Sequence, residues 1–237
     1  MQSPCLSPDG KVIATGSSDN TLRLWSTDTG ETLHTMQDRK KVIAAVQISP
    51  NGNYVAAGSY GGRAAVWNMQ GYLVTSFEAN ERNLGAICFA PNSVILATAG
   101  LGGEIKLWAI PSGQQVRRFV TDDVAIMMLR FFKDGSLLSL SHGGTIRQWN
   151  IAAGAETRTL YADTAGLRGI ALSADEKLAA LSLPGAVQVR RLDSWKIVAE
   201  KPAGAKVVNG MAFSPDGHWL AAGSADKTIR IWEMDPA

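Results

Sequence analysis

The sequence predicts an all-β fold, a β-propeller of six four-stranded-type blades. Three observations predict it: tryptophans that end strands at a fixed spacing, a unit of about 41 residues repeated in register, and period-2 alternation of apolar residues inside each unit. Trp25, Trp67, Trp108 and Trp149 close the same strand in successive copies, at intervals of 42, 41 and 41 residues. The 83 residues from Trp149 to Trp232 are 41 plus 42, so a further copy falls between them at Arg190, in Val187-Gln188-Val189-Arg190. A period of 40 to 45 residues holding four strands is the mark of a propeller array, in which no repeat can bury its apolar face alone.

The clearest copy, MAFSPDGHWLAAGSADKTIRIWEM at 211–234, sets the pattern for the rest. A first strand runs into Ser214-Pro215-Asp216-Gly217, where proline fixes one φ and glycine accepts a positive one. A small-residue second strand starts at Trp219 and a third, Thr228 to Trp232, puts Ile229 and Ile231 on one face and Arg230 and Trp232 on the other. The first copy reads CLSPDG, KVIATGSS, DNTLRLWS and GETLHTM. The second reads VIAAVQISPNG, YVAAGSYGG, RAAVWNM and GYLVTSF, and the third LGAICFAPNS, ILATAGLGG, EIKLWAI and QQVRRFV. The fourth is IMMLRFFKDG, LLSLSHGG, TIRQWNI and ETRTLYA, and the fifth, most eroded, LRGIALSADE, KLAALSLPG, AVQVRRL and KIVAEKP. The copies occupy about 1–37, 38–78, 79–120, 121–161, 162–202 and 203–237 of one domain, and the last lacks an outer strand.

The Ser-Pro-Asp-Gly turns at 7–10 and 214–217, the Ala-Gly-Ser or Thr-Gly-Ser second strands and the strand-ending tryptophans resemble the WD-repeat β-propellers, in a degenerate, bacterial-type form. The resemblance covers essentially the whole chain. No Trp-Asp dipeptide is present and no Gly-His pair precedes a first strand; only Asp19 and Asp226 hold that family's turn aspartate. The resemblance assigns structural roles to Asp19, Trp25, Trp67, Trp108, Trp149, Asp226 and Trp232. In the family, His, Asp, Ser and Trp form a hydrogen-bonded tetrad within a blade. Without a complete one, rigidity is expected mainly from packing: small second strands such as Ala56-Ala57-Gly58-Ser59 where blades approach closely, and Leu22 and Leu24, Ile105 and Leu107, or Val187 and Val189 in the wider space. Rings of this family usually have seven blades and share one between the chain ends, so the chain is expected to be a piece of a larger ring, the alternative being six blades with an unfastened seam. That seam would leave the Thr228–Trp232 edge uncovered.

Composition narrows the function. Net charge is +2, from 23 basic and 21 acidic residues, which gives no global drive toward nucleic acid or anionic lipid. Cys5 and Cys88 are too few for a disulfide framework and read as reduced strand residues in a cytoplasmic protein. No apolar run approaches the roughly 20 residues needed to span a bilayer, so no membrane partner is expected. The basic run Arg39-Lys40-Lys41 has no interleaved aromatic residue and reads as loop or protein interface, with no nucleic acid expected.

Catalysis finds little support. His34, His142 and His218 fall in a fourth strand and two different turns and do not converge on a metal site or a catalytic triad. Asp122-Asp123 reads as a solvated loop pair. Gly61-Gly62, Gly102-Gly103 and Gly143-Gly144 recur once per blade with no helix following, so they read as hairpin turns and not phosphate loops. Trp219 is expected to be packed, and Trp195 to pack partly against its own blade. No cofactor or metal is expected.

What remains is a face. The loops leading into each first strand and the turns between second and third strands emerge at one end of the blades. That end collects Arg39, Lys40, Lys41, Tyr60, Glu81, Arg82, Asn83, Leu101, Asp122, Asp123, His142, Tyr161, Asp163 and Lys206, mixed in charge and suited to polar recognition on a rigid support. The resemblance implies a non-enzymatic interaction scaffold or sensor, part of a longer polypeptide, holding a protein or peptide partner or another domain of the same polypeptide there. The alternative is a metal-dependent hydrolase or lactonase-type propeller using the central channel, which would need several carboxylates or histidines on the innermost strands.

Overall fold

The computed structural model describes residues 4–37, 41–80, 83–162, 166, 167, 169–204 and 207–234, and among these there is no helix. The first sheet is β1 (Cys5–Leu6), β2 (Val12–Gly16), β3 (Leu22–Ser26) and β4 (Thr32–Met36). The second is β5 (Ile43–Ile48), β6 (Tyr54–Ser59), β7 (Arg63–Asn68) and β8 (Leu73–Glu78). The third is β9 (Leu84–Phe89), β10 (Ile95–Gly100), β11 (Glu104–Ala109) and β12 (Gln114–Val120). The fourth is β13 (Ile126–Phe131), β14 (Leu137–Ser141), β15 (Thr145–Asn150) and β16 (Ala155–Ala162). The fifth is β17 (Ile170–Leu172), β18 (Leu178–Leu183), β19 (Ala186–Arg191) and β20 (Ile197–Pro202). The sixth has three strands among the described residues, β21 (Val208–Phe213), β22 (Trp219–Ser224) and β23 (Ile229–Glu233). In every sheet the spatial order follows the chain order, so these are propeller blades.

Two compact units contain them: residues 1–141 with 147–158, and residues 142–146 with 159–237.

Turn chemistry explains where the strands start. Ser7 Oγ accepts from Val12 N at 2.9 Å while Asp9 Oδ1 accepts from Lys11 N at 3.1 Å, which closes the turn into β2. Ser49 with Asn51, Ser173 with Asp175 and Ser214 with Asp216 repeat the device before β6, β18 and β22. The glycine pairs lie between second and third strands, as the sequence predicts, and Gly62 and Gly144 take φ of +82° and +83°.

Side chains of one sheet are buried under the next. Ala14, Leu22 and Leu24 of the first sheet pack with Ile43, Ile48 and Trp67 of the second. Ala64 and Val66 of the second pack with Leu84, Phe89 and Trp108 of the third. Ile105 and Leu107 of the third pack with Ile126, Phe131 and Trp149 of the fourth, and in the other unit Val187 and Val189 pack with Val208 and Leu220. Small residues allow the approach: a Cβ on Gly58 would stand 2.8 Å from Leu84 Cδ2.

Hydrogen bonds inside three of the blades add to the packing from which most of the rigidity is expected. Trp25 Nε1 donates to Thr15 Oγ1 at 2.8 Å, Trp108 Nε1 to Thr98 Oγ1 at 2.8 Å, and Trp149 Nε1 to Ser139 Oγ at 2.9 Å. The hydroxyl stands ten residues before the tryptophan each time. At the same register the second, fifth and sixth sheets carry Ala57, Leu181 and Ala222, which have no hydroxyl.

Candidate interaction surface

In the first unit, backbone hydrogen bonds stitch the loops at one end of the blades into a continuous strip. Ile43 N donates to Ser17 O at 3.2 Å, joining the β2–β3 turn to the start of the second sheet, and Tyr60 N donates to Val42 O at 3.0 Å. Asn83 N then donates to Tyr60 O and Leu101 N to Asn83 O, both at 3.3 Å, which carries the strip into the third sheet. Gly102 N donates to Val124 O at 2.8 Å and extends it to the fourth. Thus Lys41, Tyr60, Asn83, Leu101, Asp122 and Asp123 are brought together. Lys41 and Tyr60 are exposed, and Tyr60 borders a hollow of about 640 Å³ lined also by Ser17, Ser18, Val42 and Ile43.

Arg39, Lys40, Glu81, Arg82, Asp163 and Lys206 lie outside the described residues. His142 is exposed in the β14–β15 turn of the second unit. Tyr161, at the end of β16, lies against a neighbour: the Arg190 guanidinium stands 5.3 Å from its ring centroid.

The turn aspartates work as clamps. Asp19 Oδ1 accepts from Thr21 N at 2.9 Å and from Thr21 Oγ1 at 2.6 Å, while Asp19 Oδ2 accepts from Arg23 Nη2 at 2.7 Å. Asp226 repeats the set with Thr228 and Arg230. The Thr21 hydrogen bonds hold the Asp19 carboxyl below the usual carboxylate range, and the Arg230 guanidinium followed by Thr228 holds Asp226 well below it.

Sequence comparison decides what these blades are. The WD40 repeat (WD domain, G-beta repeat) matches residues 3–26, 30–68, 71–109 and 197–233, more than half of the chain. The chain belongs to the WD40 family. It is 27% identical over 135 residues to Transcription initiation factor TFIID subunit 5 of Caenorhabditis elegans, an overlap of 56% of this chain and 21% of that protein. It is 29% identical over 111 residues to the Periodic tryptophan protein 2 homolog of Neurospora crassa, covering 46% of this chain and 12% of the relative. Protein HIR1 of Kluyveromyces lactis is 26% identical over 185 residues, 55% of this chain and 22% of its own length. The chain thus spans only about a fifth or less of these WD40 relatives.

Within this WD40 chain the cation two residues before the strand-ending tryptophan is a feature that sequence reasoning missed. Arg23, Lys106, Arg147 and Arg230 share that position, and each meets an acid: Asp19, Glu104, the Asp122–Asp123 pair and Asp226. The recurring basic-x-Trp triplet was the available signal. Arg147 gathers three carboxylates, with Nη2 2.6 Å from Asp122, Nη1 on Asp123 and Nε 3.3 Å from Glu156. This corrects the solvated-pair reading of Asp122-Asp123. The Asp122 side chain is 87% exposed, but that of Asp123 is only 10% exposed, because Arg147 neutralises it.

The innermost strands hold a second unforeseen set. Cys5, Gln47, Cys88 and Arg130 occupy one register position on β1, β5, β9 and β13. Cys5 Sγ accepts from Ile48 N and Cys88 Sγ from Phe131 N, both at 3.3 Å, and Gln47 Oε1 accepts from Phe89 N. Cys5, Gln47 and Cys88 thereby tie their strands to the next blade, and burial pushes both thiols up in pKa. These strands carry no Asp or Glu, and among the described residues no three His, Cys, Asp or Glu side chains are placed to hold a metal ion.

Two tryptophans complete the reckoning. Trp195 packs within its own blade, with Arg190 5.7 Å from its ring centroid. Trp219, expected to be packed, is 45% exposed and lines an apolar hollow with Phe213, Ala221 and Ile231 of its own sheet.

Proposed function

We propose that the chain is a non-enzymatic interaction scaffold that holds a protein or peptide partner on the loop strip running from Ser17 to Asp123. WD40 proteins are in general non-enzymatic scaffolds, and the relatives' names include a transcription initiation factor subunit. The observation that carries the reading is the stitched strip itself: loops of four sheets fixed to one another by backbone hydrogen bonds, leaving Tyr60 and Lys41 exposed beside the 640 Å³ hollow. A support that is already ordered loses little entropy when a partner docks. The mixed surface, an aromatic ring beside a cation and serine hydroxyls, suits an extended polar segment with one apolar anchor.

The test is a displayed peptide library selected on the purified chain. Selected peptides should lose at least about tenfold in affinity on Tyr60→Ala or Lys41→Glu, an effect of about 1.4 kcal/mol. Lys177→Glu, in a turn at the other end of a blade, should leave affinity unchanged. Equal losses for all three, or none, would place recognition elsewhere.

A further inference from the structure

Four of the turns that lead into a second strand are built around the same acceptor, two residues after a serine: Asp9, Asn51, Asp175 and Asp216. Each accepts through Oδ1 from the backbone N–H two residues on, at 3.1, 3.0, 3.1 and 3.0 Å, and from the hydroxyl of that serine. The serine Oγ in turn accepts from the first amide of the second strand, at Val12, Tyr54, Leu178 and Trp219. The serine hydroxyl, followed by the backbone N–H, holds Asp9, Asp175 and Asp216 below the ordinary carboxylate pKa, so this turn favours a charged acceptor. Only Asn51 is neutral. Its Oδ1 makes both bonds, whereas its Nδ2 makes none among the described residues and the residue is exposed, so an oxygen fits in that place with nothing displaced.

Asn51 is also followed by Gly52, which has no side chain to shield its backbone nitrogen. We propose that Asn51 is a modification site, converted by water to aspartate through a cyclic imide when the β5–β6 turn opens, and that the aspartate formed closes the turn more firmly than the asparagine did. In the first step a bond forms from Gly52 N to Asn51 Cγ and the bond from Cγ to Nδ2 breaks. The Gly52 proton leaves with Nδ2 as ammonia. Water then adds its hydroxyl to Cγ, breaks the new bond and returns a proton to Gly52 N, so no oxidant or cofactor is consumed. The closed turn restrains both partners: Gly52 N donates to Ser49 O at 2.9 Å, and the Asn51 carboxamide is held by Ser49 Oγ and Asn53 N. The reaction therefore waits on local opening, and each conversion leaves a permanent negative charge at the end of the second blade away from the loop strip. The chain's other Asn-Gly pair, Asn209-Gly210, differs. Asn209 takes the bulge position held in other sheets by Ala44, Gly85 and Met127, where no copy has an aspartate.

The experiment holds the chain in mildly alkaline buffer, folded or unfolded in urea, and reads conversion at residues 51 and 209 separately by peptide mapping with mass spectrometry. Asn51 should convert in the folded chain, at least about tenfold more slowly than in urea. Ser49→Ala, which frees the Asn51 carboxamide and the Tyr54 amide, should speed the folded-state reaction at least about threefold. Ser214→Ala, the same deletion in the sixth blade, should leave the rate at Asn51 unchanged. In Asn51→Asp the Asn53 amide should exchange its hydrogen about threefold more slowly or better, because an ionised acceptor makes the stronger bond. Equal rates in the folded and unfolded chain, no conversion in the folded chain, no response to Ser49→Ala, or faster exchange in Asn51→Asp would overturn the proposal.

Discussion

Replacing Thr98 by valine isolates one hydrogen bond in a buried place. Thr98 and Trp108 are both buried, and the indole N–H donates to Thr98 Oγ1 at 2.8 Å. Valine keeps the shape and removes the acceptor, so the cost is that of leaving a buried donor unpaired, about 1 to 3 kcal/mol. Thr98→Ser keeps the acceptor and should recover most of it. Thr15→Val makes the same deletion beneath Trp25, where both residues are only half-buried and water can substitute. Its cost should stay under about 1 kcal/mol. The deletion is local to one blade, so the assay is native-state hydrogen exchange of the β10 and β11 amides. Those amides should exchange roughly 5- to 150-fold faster in Thr98→Val. In a double-mutant cycle with Trp108→Phe the coupling should be about 1 kcal/mol. Exchange within twofold of the parent, or an equal cost for Thr15→Val, would refute the claim that these hydroxyls stiffen the blades.

Three further outcomes follow from the geometry. Gly58→Ala drives a methyl into the buried Leu84 side chain and should cost about 1 to 3 kcal/mol, whereas Gly223→Ala meets open space and should be neutral or stabilise by up to about 1 kcal/mol; paired calorimetry distinguishes them. Arg147→Met strands the Asp123 carboxylate and should cost about 3 to 5 kcal/mol in chemical denaturation, while Asp122→Ala, at an 87% exposed side chain, should cost at most about 1 kcal/mol. Asp19 and Asp226 have folded pKa values below their ordinary 3.8, so they stabilise the fold above that pH and stop doing so as pH falls beneath it. The melting temperature should hold from pH 7 to about 5 and drop below about 4, with a shallower drop in the Asp19→Asn, Asp226→Asn double variant.

The period of about 41 residues placed the sheets because a repeat advertises itself five or six times, and small shifts at one copy do not move the others. Leu22 and Leu24, or Ile105 and Leu107, were legible as core because alternation in a strand assigns a face at once. The hydroxyl partners of the tryptophans were not legible, since Thr15, Thr98 and Ser139 sit inside runs read for their small size. Arg147 was missed for a related reason. A charge on a strand suggests solvent, whereas the register carries it to Asp122 and Asp123, more than twenty residues earlier. The loop strip was legible as a set of loops but not as a bonded continuum, because its bonds join backbone groups and leave no trace in residue type.

The fifth blade shows what the register actually requires. The WD40 match leaves residues 110–196 uncovered, yet β13 to β19 lie wholly within that gap. Where the third strand of other blades ends in tryptophan, this one has Arg190, paired opposite Ala179 and immediately preceded by the same slip in register that precedes Trp25, Trp67 and Trp108. Phe77 stacks on Trp108 with centroids 4.1 Å apart, and Phe119 meets Trp149 at 5.1 Å. Tyr161 approaches Arg190 at 5.3 Å in the corresponding way, and Trp195, turned in on a residue with φ of +58°, flanks the guanidinium. Arg190 is fixed in place by donating to Trp195 O at 2.9 Å and to Gln188 Oε1 at 2.7 Å. A guanidinium is planar, delocalised and weakly hydrated, so it can stand between two rings where an ammonium could not do so as well. In these three blades the position holds a flat group that an outer-strand aromatic covers, and tryptophan is one way to fill it. Recognition by residue identity fails at Arg190, while the strand, its slip in register and its aromatic neighbour persist.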